Sequence, residues 1–343
     1  MGLIQEVSSM TKVCVTGCSG LVGSHTVKYL LENGLQVVGI DKEPLPEYIK
    51  NIGLEFYQFD ITGRVKKIEE IIKGCEVVYH CAAYAAEIMS LFKPIYISQQ
   101  NIMGSLNMLV ASTNTNVRTF VFTSSNSIYG EQPECPYPED VDKQPDDIYA
   151  IGKLATEQMI KVICETHDMD YVIIRPHNII GPQQNYKDAY RNVIAIWMNR
   201  IKRGEKPIVY GDGLQERAFT YIEDFVPFFA DCPFNINCTN EIFNIGGDEN
   251  ITIKEAAEIV CEVTGFEKGY DYADARPNEV KISYPSQSKA KEIGYKTHNS
   301  FVEGVTKMWK WMKTQPIENF KYWDNEDIEI WNKMPKVWKE KLL

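Results

Sequence analysis

The segment Lys12-Val-Cys-Val-Thr-Gly17, with the glycines Gly20 and Gly23 that follow it, constrains this chain more than any other stretch. Bulky and β-branched residues before the first glycine read as a short buried strand, and Val27, Leu30 and Leu31 continue with helical apolar spacing. A strand, a glycine turn and a helix let backbone approach a pyrophosphate, which rests on the free N–H groups of the helix N-terminus. Gly17, Gly20, Leu21, Val22 and Gly23 are therefore candidate cofactor contacts. The spacing is G-x-x-G-x-x-G, not the commoner G-x-G-x-x-G, so the generic fingerprint is matched imperfectly. A second strand, Gln36-Val-Val-Gly-Ile40, ends in Asp41, eighteen residues after Gly23, with Lys42 beside it. An acid there accepts hydrogen bonds from an adenosine ribose and repels a 2′-phosphate, which favours NAD over NADP.

Further strand candidates follow the same logic. Glu55-Phe-Tyr-Gln-Phe59 runs into Asp60 and Ile61, Glu76-Val-Val-Tyr-His80 into Cys81, Ala82 and Ala83, and Thr119-Phe-Val-Phe122 into Thr123, Ser124 and Ser125. Apolar strands alternate with helical stretches over residues 1–175, which predicts an α/β fold: a doubly wound parallel sheet of Rossmann type, with ligand at the strands' carboxyl ends. Residues 176–314 read as a smaller, discontinuous substrate-binding lobe. It contains a polar loop (183–192), a helical stretch (193–203) and segments at 217–224 and 241–246 expected to rejoin the main sheet as strands. Residues 315–343 form a Trp-rich tail, expected either to pack on its own lobe or to make an assembly contact.

Composition bounds the class. The 343 residues can bury a substantial core, and the net charge of −11 argues against nucleic acid as the main partner. The chain shows no signal pattern at its start and no apolar run of membrane-spanning length, so a cytoplasmic protein is expected. Nine cysteines without a Cys-x-x-Cys pair read as free thiols, and with five scattered histidines they predict no metal.

Tyr149 and Lys153 stand four residues apart, on one face of an expected helix. An ammonium beside a phenol favours the phenolate, which is what proton abstraction from an alcohol needs. With Thr16-Gly-Cys-Ser-Gly20-Leu-Val-Gly23, Asp60-Ile61, His80-Cys-Ala-Ala83, Asn101-Ile-Met-Gly104, Thr123-Ser-Ser125, Arg175-Pro-His-Asn178, Tyr210-Gly-Asp-Gly213, Arg217 and Arg276-Pro-Asn-Glu279, the chain resembles the extended short-chain dehydrogenase/reductases, most of all the UDP-hexose 4-epimerases. The resemblance implies a catalytic triad of Ser125, Tyr149 and Lys153. It implies adenine contacts from Asp60 and Ile61, and a supporting Asn101 near the nicotinamide. Cys81, Ala82, Ala83, Thr123, Ser124 and Pro176 would complete the cofactor site. It also implies a homodimer built on a four-helix bundle, from residues 99–112 and 148–165 of each subunit.

Two arginines, Arg217 and Arg276, suit chelation of a sugar-nucleotide diphosphate, and the resemblance gives them that role. Asn126, Asn178, Asn192, Val193 and Glu279 are further expected substrate contacts. In this superfamily the two positions after the catalytic Ser/Thr select the chemistry; here they are Asn126 and Ser127, neither acid nor thiol. That leaves hydride chemistry at C4, a 4-epimerase working through a transient 4-keto sugar on tightly held NAD. A nucleotide-sugar 4-reductase or dehydrogenase fits the same residues, as does a non-catalytic NAD-binding protein. Ser283, where some 4-epimerases carry a bulky Tyr, leaves room for a 2-acetamido group, so UDP-GlcNAc stands beside UDP-glucose. The 183–192 loop, with Tyr186, Lys187 and Arg191, could instead select a uronic acid.

Overall fold

Seven short runs rich in Val, Ile and aromatic residues pair in parallel into one sheet: β1 (Lys12–Thr16), β2 (Gln36–Asp41), β3 (Glu55–Gln58), β4 (Val77–His80), β5 (Thr119–Thr123), β6 (Asp170–Pro176) and β7 (Glu241–Ile245). Their lateral order is β7-β6-β5-β4-β1-β2-β3. This is a computed structural model, and it describes residues 11–343. Because successive strand residues point to opposite faces, each strand feeds two cores. Val13 and Val15 face one core, with Val27, Tyr79, Val121, Phe225 and Phe229. Cys14 faces the other, with Val38, Ile68, Val78, Phe120 and Ile160.

The helices α1 (Leu21–Glu32), α2 (Val65–Ile72), α3 (Gly104–Asn114) and α4 (Ile148–Thr166) connect the strands. The chain winds outward from β1 in one direction through β2 and β3, then returns beside β1 as β4 and winds the other way. That reversal opens a crevice at the carboxyl ends of β1 and β4, where a ligand is expected in a doubly wound sheet. The approach to α3 is not regular: Gln99–Met103 form a π-helical turn, which carries Asn101 into the buried side.

Beyond β6 come α5 (Val193–Lys202), α6 (Ile222–Asp231), α7 (Ile253–Thr264) and α8 (Phe301–Met312). The expectation that residues 217–224 rejoin the main sheet is corrected. Glu216–Ala218 pairs instead with Asn250–Thr252 and Ile282–Ser283, and Thr220–Tyr221 pairs with Ile179–Ile180. From Ile222 the chain is helical, because Ile222, Phe225, Val226 and Phe229 recur at helical spacing and are buried in the first core. Only Glu241–Ile245 rejoins the sheet, beside β6.

The tail packs on its own chain. Phe320, Met334, Val337 and Trp338 share a core with Ala86, Met89, Phe92 and Tyr190. Lys321 N–H donates to Lys187 O at 2.6 Å, tying the tail to the polar loop. The Lys93 ammonium sits 3.6 Å over the Trp323 ring. Among the described residues no helix is long and apolar enough to cross a membrane.

Candidate active site

The glycine turn is a close-packed cradle. Gly17 has φ +66°, and a Cβ there would lie 2.8 Å from the Ala82 backbone. A Cβ on Gly23 would stand 2.1 Å from Gly17 O, so α1 can approach β1 only with glycine at that position. No side chain caps α1, whose N-terminus is Gly20. The first N–H groups of the helix, from Leu21 to Gly23, have no intrahelical acceptor and stand at the turn that follows β1. Asp41, at the end of β2, accepts from Ser19 N–H and Glu43 N–H, each at 2.9 Å. Burial raises its carboxyl above the usual range, and those two donors pull it back. A cradle too tight for side chains, an uncapped helix and a carboxylate one strand away fit a dinucleotide. Gly23→Ala is expected to lower the melting temperature and to abolish NAD carried through purification, read by thermal melting and by cofactor release.

The end of β5, the turn that follows it and the first turns of α4 converge. Thr123 O accepts from Lys153 Nζ at 2.7 Å, fixing the end of β5 to α4. Ser125 Oγ accepts from Ser127 N–H at 3.2 Å and from Ser127 Oγ at 2.9 Å, so its own proton is left to donate outward. Ser127 is thus a neighbour that the sequence offered only as a missing acid. Tyr149 is buried beside this hydroxyl. The sequence-based expectation of a lowered Tyr149 pKa is corrected: burial, then the Glu87 carboxylate, raise it, with Ser125 pulling the other way. Lys153 Nζ is 5.7 Å from the Tyr149 ring centre, and burial brings its own pKa down to about 8. At neutral pH it still carries a proton.

Beneath the loop lies a network that spacing alone did not reveal. Glu157, one turn after Lys153, pairs with Arg175 through two parallel bonds of 2.9 and 2.7 Å, both side chains buried. Ser124 Oγ donates to the same Glu157 carboxylate at 2.6 Å, and Arg175 also donates to Tyr129 Oη at 2.5 Å. The pair ties α4 to β6 through the residue adjacent to Ser125. His177, in the same Arg-Pro-His-Asn motif, is fully buried and held neutral, its pKa pushed down to about 3 by burial and by Arg217.

Of the two arginines expected at a diphosphate, Arg217 is held by the carbonyls of Glu216 (2.8 Å), Val280 (2.7 Å) and Lys281 (3.3 Å). Arg276 is paired with Glu279, so that acid orients the arginine. Both guanidinium groups act on Glu87, a residue the sequence reading did not select. It opens a short helix, Glu87–Ser90, beyond the loop after β4, and only tertiary packing brings it here. Asn126 Nδ2 donates to Ser283 Oγ at 2.7 Å, and Tyr137 Oη is 2.9 Å from the same oxygen. Ser283 therefore lies beside the Ser125–Ser127 turn, as a small buried residue.

Other expected contacts are positioned by bonds within the protein. Asn101 holds the Tyr84 backbone with bonds of 2.8 and 3.1 Å. Lys42 donates to Tyr96 and Gln100 at 2.8 and 3.0 Å. Asp60 accepts from Thr62 N–H and Oγ1, closing the turn around Ile61, which packs into the second core. Asn178 donates to Ala218 O at 3.3 Å, while Asn192 begins α5 from a left-handed conformation without capping it, and Val193 follows as the first helical residue.

The family model for the NAD dependent epimerase/dehydratase family matches residues 13–246. The chain belongs to that family. Within the epimerase/dehydratases it is 32% identical over 305 residues to a putative UDP-glucose 4-epimerase of Methanocaldococcus jannaschii, covering 88% of this chain and 98% of that one. It is 28% identical over 335 residues to the dTDP-D-glucose 4,6-dehydratase of Bos taurus, covering 92% and 91%. A crystal structure of UDP-glucose 4-epimerase with UDP-glucose from Thermotoga maritima superposes with a TM-score of 0.83 at 30% identity, over 88% of this chain and 99% of that one. An epimerase/dehydratase is an NAD-dependent enzyme, and the cradle around Gly17, Gly23 and Asp41 fits that cofactor.

Proposed function

We propose that this enzyme is a nucleotide-sugar 4-epimerase that inverts C4 of a UDP-hexose through a transient 4-keto sugar. The observation that carries this reading is the catalytic loop. Ser125 faces Tyr149, while Asn126 and Ser127, which follow it, bond to Ser283 and to Ser125 itself and offer neither acid nor thiol. Elimination of water or decarboxylation needs more than that.

The Gly17–Gly23 turn, Asp41, Asp60, Ile61, the Cys81–Ala83 loop, Lys153 and Pro176 would hold NAD, which would supply the hydride acceptor and a positive charge. Tyr149 takes the C4 hydroxyl proton, Ser125 donates to O4 and steadies the developing ketone, and Lys153, charged at neutral pH, supports the phenolate. Arg217 and Arg276 grip the diphosphate while the keto sugar turns. Asn126, Asn178, Asn192 and Val193 line the sugar and nucleotide. Ser283, small and buried beside Asn126, favours room at C2, so UDP-GlcNAc and UDP-glucose both belong in the substrate set. Incubation with UDP-, GDP- and dTDP-hexoses, with products resolved by NMR, tests the reading. C4 epimers without net absorbance change at 340 nm support it; a deoxy-keto product, a pentose or net NADH refutes it.

The enzyme is further proposed to be a homodimer. Met103 and Val110 near α3, with Ile151 and Val162 on α4, expose apolar side chains, Val162 by 64%. Val162→Lys is expected to shift the mass seen by light scattering from two chains to one.

A further inference from the structure

Glu87 is the one exposed residue in a stretch, Ala86 to Ser90, that is otherwise buried. The stretch cannot swing away. Met89 and Ile88 are fixed in the core formed with the tail, and Ser90 Oγ donates to Asp147 Oδ1 at 3.3 Å. Asp147 in turn caps α4 by accepting from Ala150 N–H at 2.8 Å, two residues from Tyr149. Glu87 is therefore fastened to the helix that carries the catalytic tyrosine. Its carboxylate lies within charge–charge reach of Arg217, Arg276, Asp146 and Glu279, and it acts on Tyr149 and Asp147. Yet it has no hydrogen-bond or ion-pair partner among the described residues, whereas Arg276 has Glu279 and Arg217 has three carbonyls. An unpartnered carboxylate thus lies within charge–charge reach of both the proposed proton acceptor and the proposed diphosphate clamp, which between them must hold the sugar ring.

A second observation concerns the cations that a uronic acid would need. Lys187 and Arg191, on the polar loop, are both engaged: Lys187 Nζ lies 2.7 Å from Glu318, and Arg191 Nε lies 3.0 Å from Asp188. Neither is available to offset a carboxylate on the sugar. We propose that Glu87 is a specificity-determining residue that accepts hydrogen bonds from hydroxyls of a neutral pyranose and excludes sugars bearing a C6 carboxylate. Two like charges facing each other across a partly desolvated cleft oppose binding, whereas pyranose hydroxyls supply the donors that the carboxylate lacks. The inference rests on the nucleotide-sugar reading above.

Titration calorimetry on the NAD-loaded enzyme, with UDP, UDP-glucose and UDP-glucuronic acid as separate ligands, tests it in wild type and in Glu87→Gln. Wild type is expected to bind UDP-glucose at least tenfold more tightly than UDP-glucuronic acid. Glu87→Gln should narrow that ratio at least fivefold and leave UDP within twofold of wild type. An unchanged ratio overturns the proposal. So does a loss of affinity for UDP that matches the loss for both sugars, since Glu87 would then only organise the arginines. Failure of wild type to bind UDP at all would refute the UDP-hexose reading itself, and shows in a different arm.

Discussion

Tyr149→Phe is expected to lower the rate of C4 inversion by about 10²–10⁴-fold while leaving NAD content and melting temperature close to wild type. The substitution removes one oxygen from a buried ring whose volume Phe fills, so packing in the crevice is preserved. What is lost is the group that faces Ser125. In this structure burial and Glu87 hold the phenol above its usual range, so the rate should depend on the positive charges brought near it. Initial rates followed by NMR, paired with thermal melts, separate this loss of chemistry from loss of fold. A Phe variant with near-wild-type turnover would remove Tyr149 from the mechanism.

Glu157→Ala is expected to be the most destabilising single change outside the hydrophobic cores, by about 3–5 kcal/mol. It strands the Arg175 guanidinium in a site where both partners are only 2% exposed, and it removes the acceptor of Ser124 Oγ. Ser124→Ala deletes one hydrogen bond and leaves the ion pair intact, so its cost should be about 1 kcal/mol. Denaturant midpoints at a constant m-value read both. Equal effects would mean that the pair does not organise the loop.

How much of this could be read from the residues alone differs by element. The strands of the main sheet are continuous apolar runs ended by Gly17, Asp41, Cys81 and Thr123, and such runs are legible because both faces of a parallel strand are buried. Residues 217–224 misled because a short apolar run has two periods, and the helical one, Ile222 to Phe229, won by packing against α1. Tyr149 and Lys153 were visible by spacing, but the direction of the phenol's shift was not, since burial depends on the whole fold. Glu157 did carry a signal, one helical turn after Lys153, and needed only Arg175 to be recognised as its partner. Glu87 carried none. It lies 62 residues before Tyr149, on a short helix whose place is set by the tail core and by Ser90.

The central claim is that the sugar is oxidised and reduced at C4 and nowhere else. UDP-glucose carrying deuterium at C4, incubated with the enzyme in ordinary water and examined by NMR, tests it most directly. The account predicts a galacto product that retains deuterium at C4 and a C6 hydroxymethyl group that is intact. Loss of the label to solvent, or its appearance at C6 of a 4-keto-6-deoxy sugar, would contradict it.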